Sequence, residues 1–102
     1  MGTRADVEII TRDKSHRFSI YRDAIPGEVV SDLSDDEMDL EDVKRRLSLR
    51  EDYESCPNYY YSISLVDRTI EIFYPDSSST PWKRGQLIFS GTFAEAKQSP
   101  NL

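Results

Sequence analysis

Carboxylates dominate the residues of this chain that could do chemistry. Seven of the eleven residues from Asp32 to Asp42 are acidic: Asp32, Asp35, Asp36, Glu37, Asp39, Glu41 and Asp42. On a helix, residues three or four apart share a side. Asp35, Asp39 and Asp42 would then form a row, which Asp32 joins if the preceding turn permits. Such a row can imitate a line of phosphates and occupy the groove of a nucleic-acid-binding protein. Electrostatic steering would speed capture of a basic partner. The candidate partner-binding carboxylates are therefore Asp32, Asp35, Asp36, Asp39 and Asp42. The plain alternative is a solvated helix face that complements the helix dipole. A calcium loop needs oxygen ligands alternating around a glycine turn. The run contains no such turn, so no metal is expected.

Nucleophilic chemistry has little to work with. His16 is the only histidine and Cys56 the only cysteine. A general base needs a nucleophile within hydrogen-bond reach and usually a group that orients it. Nothing in the sequence brings His16 and Cys56 together, so no enzyme activity and no cofactor are expected. A thiol-dependent enzyme would require a depressed pKa at Cys56. A lone histidine also makes a zinc site improbable. Ser31 and Ser34 sit in an acidic context that suits an acidophilic kinase, but helix capping accounts for Ser34 without one. Tyr59, Tyr60 and Tyr61, with Tyr53, Tyr74 and Trp82, make a second candidate surface. Strand alternation sets Tyr60 opposite Tyr59 and Tyr61, and Tyr60 is the tyrosine expected in contact with a partner, because tyrosine is enriched at interface hot spots. Ordinary strand packing is the alternative.

The 102 residues are 37% hydrophobic and 31% charged, with a formal net charge of −6. That length fits one domain. The charge argues against direct contact with nucleic acid, whose affinity depends on clustered Lys and Arg. Basic proteins are the complementary partners. A single cysteine excludes an internal disulfide and fits a reducing cytosol. No apolar run is long enough for a signal peptide core or a membrane span, so a cytoplasmic location without membrane contact is expected.

The elements that must position these residues follow from periodicity. Ala5, Val7 and Ile9 alternate with Asp6 and Glu8, and Phe18 and Ile20 share one side of residues 17–22. The two runs read as a β-hairpin. Pro26 suits the first position of a short helical turn. Ser34 and Glu37 have capping-box spacing, and Leu40, Val43 and Leu47 form an apolar stripe. The main helix is therefore expected over residues 34–50. Two further strands are expected in residues 59–74, joined by a turn at Asp67-Arg68 that lacks the favoured glycine. Residues 75–81 read as a mobile Ser/Pro loop, residues 86–90 as a final strand, and Thr92 with Glu95 as a second capping box opening a short helix. Residues 99–102 read as a frayed tail.

Thr3-Arg4-Ala5, Ile20-Tyr21-Arg22 and the turn Pro26-Gly27-Glu28-Val29 resemble a family of small bacterial and phage proteins. These open with Thr-Arg-Ala, an alternating strand, an Ile-Tyr-Arg strand and a Gly/Pro-rich turn. The resemblance covers about the first third of the chain and departs after Arg22, where Asp23-Ala24-Ile25 stands. It implies a mobile-element origin and no activity. The fold expected is a single α+β domain, with an antiparallel sheet of about five strands covered on one face by the main helix. The function expected is non-catalytic. It is a small acidic inhibitor of the anti-defence or anti-CRISPR kind that blocks a basic, nucleic-acid-binding surface of a larger protein. The alternative is an assembly subunit, such as a homodimer, that self-associates through a sheet edge or an aromatic face.

Overall fold

Alternation builds the first hairpin as expected, with a tighter connection. In the computed structural model, which describes residues 4–20, 23–34, 36–51, 57–76 and 83–99, β1 (Ala5–Ile10) pairs antiparallel with β2 (Ser15–Ile20). The turn is closed by the Thr11 N–H and hydroxyl, which both donate to the Lys14 carbonyl at 3.0 Å. Ala5, Val7, Ile9, Phe18 and Ile20 are buried on one face of the pair.

The chain then crosses over the sheet through two helices. Pro26 opens α1 (Pro26–Ser31), where its missing N–H is no loss. The main helix, α2, runs from Leu40 to Leu47 and not over residues 34–50. The cause is a competing cap. The Asp39 carboxylate accepts the Asp42 N–H at 2.8 Å, immediately before the stripe of Leu40, Val43 and Leu47. The Ser34 hydroxyl instead accepts the Asp36 N–H at 3.0 Å, and the Ser34 N–H approaches the Met38 sulfur at 3.5 Å. These contacts hold the residues before Asp39 in an irregular path. At the other end Ser48 turns left-handed (φ 54°), so Leu49 and Arg50 leave the helix as β3 (Leu49–Arg50) and pair with β2.

The crossover returns β4 (Tyr59–Ser64) alongside β1 in the same direction. The sheet is therefore mixed rather than antiparallel. Among the described residues it has six strands rather than five, in the order β3-β2-β1-β4-β5-β6. Local turn signals reveal hairpins, but a parallel neighbour is joined through a distant connection that no turn announces. β5 (Thr69–Asp76) and β6 (Lys83–Thr92) complete an antiparallel meander with β4. Both strands run further than expected. Pro75 and Asp76, expected in a loop, continue β5 opposite Arg84 and Lys83. A register shift beside Pro75 accommodates the missing donor, since proline in sheets favours bulges and edges. Gly85 is required nearby: a Cβ there would lie 2.6 Å from the Tyr74 carbonyl oxygen. The rest of the expected loop, residues 77–81, lies outside the described residues, as do Trp82 and the tail beyond Ser99. The Thr92/Glu95 box opens α3 (Phe93–Lys97) as its spacing predicts.

The helices α1, α2 and α3 each supply side chains to one face of the sheet. Phe18, Val7, Tyr61, Ile72 and Phe89 run as neighbours across β2, β1, β4, β5 and β6. They join one core with Val29 and Val30 of α1, Val43 and Leu47 of α2, and Phe93 and Ala96 of α3. Each fully buried side chain of the Leu47 kind contributes about 2–3 kcal/mol. The buried Tyr61 hydroxyl donates to the Ala24 carbonyl at 2.6 Å, tying the crossover to β4. The opposite face carries Ser19, Asp6, Tyr60, Phe73 and Leu87 in the matching row.

Candidate functional site

The acidic segment is not a row on a rigid helix. Asp32 is the C-cap of α1, and its carbonyl accepts from the Arg46 guanidinium at 3.5 Å. Asp35 lies outside the described residues. Asp36 and Glu37 stand exposed in the irregular stretch. Asp39 and Asp42 cap each other's backbone: the Asp42 carboxylate accepts the Asp39 N–H at 3.5 Å in return. Asp42 also pairs with Arg45 at 2.8 Å, and Glu41 with Lys44 at 3.8 Å. The expected line of Asp35, Asp39 and Asp42 along one helix side is thus overturned, because the helix begins after Asp39. What remains is a segment pinned at both ends by helix caps. Asp36, Glu37, Asp39 and Glu41 face solvent along it, while Lys44 and Arg45 sit on the far side of the first turn and partly neutralise Glu41 and Asp42. Exposed pairs of this kind add little stability, so the charges remain available to a partner.

Tyr60 is not a surface residue. Only 5% exposed, it lies on the second sheet face with the Arg17 guanidinium 5.1 Å from its ring centre. Its ring meets Phe73 edge-on, at 6.3 Å and 72°. Tyr61 is fully buried and Tyr59 partly so. Among the described residues the exposed tyrosine is Tyr74, which stacks on Tyr59 at 6.1 Å and is 50% exposed. The strand Tyr59–Ser64 lies inside the sheet between β1 and β5 and has buried side chains on both of its faces, which alternation alone does not disclose. Tyr53 and Trp82 lie outside the described residues.

A partly buried ion pair holds Arg17 over Tyr60. Asp6, fully buried, accepts from Arg17 at 3.1 Å across the first hairpin. The two are diagonal neighbours in the ladder, since Asp6 faces Ser19 and Glu8 faces Arg17. Diagonal positions are within reach of a long side chain. The sequence signal was an acid inside an apolar strand with an arginine two residues out of register on the next.

His16 is half-buried, stacked on Phe18 with ring centres 6.3 Å apart and its Nε2 3.4 Å from the Thr11 hydroxyl. Cys56 lies outside the described residues. Among the described residues no three His, Cys, Asp or Glu side chains converge as a metal site, and no helix is long and apolar enough to cross a membrane. Glu95 has its carboxyl held below the usual range, first by the Thr92 backbone N–H at 2.8 Å and then by the Thr92 hydroxyl. This is the second capping box at work, on an exposed residue.

Sequence reasoning missed one surface. β6 forms the long edge of the sheet, with Leu87 48% and Ile88 36% exposed. The available signal was Leu87-Ile88-Phe89, three apolar residues in succession on a strand next to the chain's last helix. No family model matches the chain, and no curated protein or solved structure matches it.

Proposed function

We propose that this protein is a non-catalytic binding module that presents its acidic segment, residues 32–42, to the basic surface of a larger protein. The observation that carries this reading is the pair Asp36 and Glu37, exposed side by side between two helix caps and flanked by exposed Asp39 and Glu41. The helix caps at Asp32 and Asp39 fix the chain on either side of Asp36 and Glu37, which lowers the ordering cost of presenting them to a partner. The net charge of −6 reinforces the preference for a basic partner. In its sharper form the module is an inhibitor that takes the place of nucleic acid in its partner's groove.

The test is a charge reversal confined to residues that cap nothing. The partner is captured from lysate of the source cells at low and high salt and identified by mass spectrometry. Binding of the purified partner is then measured for the Asp36→Lys/Glu37→Lys double variant and for Asp13→Lys/Asp67→Lys, which changes net charge equally at two exposed loop sites elsewhere. The first should weaken binding at least about tenfold and flatten its salt dependence, and the second should change it far less. Equal affinity for all three proteins would reject the acidic segment as the docking surface.

A further inference from the structure

We infer that the cleft between the β4–β5 turn and α3 is a binding site for a zwitterionic α-amino acid with an apolar side chain. The cleft has a volume of about 370 Å³, within the range of small-molecule sites. Val66, Asp67 and Arg68 line it from the turn, and Thr92, Phe93 and Ala94 from the start of α3.

The three turn residues depart from what a hairpin turn alone requires. Arg68 is left-handed (φ 55°), one of two non-glycine residues with positive φ among the described residues. That conformation costs an L side chain and is adopted freely by glycine. The structural duty at this position belongs to the backbone: the Arg68 carbonyl accepts the Phe93 N–H at 3.2 Å and ties the turn to α3. Glycine would serve that duty equally well, so the guanidinium is retained for something other than the turn. Such backbone outliers gather at ligand sites. Val66 stands 51% exposed at the mouth of the cleft. Asp67 leaves the capping of the turn to Ser64, whose hydroxyl accepts the Asp67 N–H at 3.2 Å. The Asp67 carboxylate thereby takes no part in closing the turn.

The amides that open α3 are already used. The Thr92 N–H donates to Glu95 Oε1 at 2.8 Å, the Glu95 N–H to Thr92 Oγ1 at 3.1 Å, and the Phe93 N–H to Arg68. Recognition falls to side chains, and a cation beside an anion sets the ligand class. The Arg68 guanidinium matches a carboxylate, which it can take bidentately. The Asp67 carboxylate matches an α-ammonium. A simple anion would meet Asp67, and a simple cation would meet Arg68, whereas a zwitterion complements both. Val66, Phe93 and Ala94 supply the apolar wall for its side chain. The cleft shares no residue with segment 32–42, so the two readings stand or fall separately.

The experiment is a titration of the intact protein with L-leucine, followed by amide chemical shifts and calorimetry. Leucine should move the amides of Val66–Arg68 and Thr92–Ala94 saturably. 4-Methylpentanoate lacks the ammonium and leucine methyl ester lacks the carboxylate, and each should bind at least about tenfold more weakly. Arg68→Gly suits the left-handed backbone, so it keeps the fold while removing the guanidinium. It should weaken leucine binding at least about tenfold, and so should Asp67→Asn. Leucine that moves none of these amides would overturn the inference. So would truncated analogues that bind as tightly as leucine, or an Arg68→Gly protein that binds it like wild type.

Discussion

Two residues matter here because of what their polar atoms do, not because of their size. Its spacing puts Asp39 in a charged row, but Asp39 is the N-cap that decides where α2 begins. Tyr61 looks like one of a tyrosine run, but it carries the hydrogen bond between β4 and the crossover. That bond is 2.6 Å long, buried, and reaches a backbone carbonyl 37 residues away in sequence. Tyr61→Phe keeps the ring and removes the donor, leaving the Ala24 carbonyl buried without this partner. A buried acceptor left unsatisfied costs about 1–3 kcal/mol. Urea unfolding should show a lower midpoint with an unchanged m-value, because the loss is of one bond and not of compactness. A midpoint equal to wild type would mean that the hydroxyl contributes nothing net.

At the level of elements, the sequence disclosed what is local and concealed what is not. The first hairpin, the α1 start at Pro26 and the α3 capping box were legible because each depends on neighbours within a few residues. The main helix was legible in its apolar stripe but not in its length. Ser34/Glu37 and Asp39/Asp42 are both capping spacings, and only the packing of Leu40, Val43 and Leu47 selects the second. The same ambiguity misplaced the acidic residues, so the candidate site was legible in composition and not in geometry. β3 was hidden inside the expected helix because its two residues carry no alternation. What releases them is Ser48, an exposed non-glycine residue in the left-handed region at φ 54°, ψ 52°. For an L-residue that conformation costs about 1–2 kcal/mol. Glycine adopts it freely but gives up more freedom on folding. Ser48→Gly should therefore raise stability by roughly 0.5–1 kcal/mol, as relief of strain outweighs the added chain entropy. Thermal unfolding checks it: a lower melting temperature would show that the Ser48 backbone is not strained.

At the scale of the whole molecule, the N-terminal hairpin and the C-terminal meander meet along one seam, the parallel ladder of β1 with β4. Nothing in a local pattern announces this seam, since its partners lie 54 positions apart: Ala5 faces Tyr59 and Ile9 faces Ile63. The core is nevertheless continuous across it. Phe18 and Ile20 of the hairpin share a cluster with Ile70 and Ile72 of the meander, bridged by Val7, Ile9, Tyr61 and Ile63. A small domain built this way should unfold as one cooperative unit. Ile9→Ala cuts the bridge at a fully buried position, and such truncations cost about 2–5 kcal/mol depending on how far the site collapses. The place where that loss is read is informative. If the seam couples the halves, native-state hydrogen exchange should report the same decrease at the slowest amides of β2 and of β5, because both exchange only through global opening. A loss confined to β2, with β5 protection intact, would show the meander standing alone and the hairpin docked onto it as a separable piece.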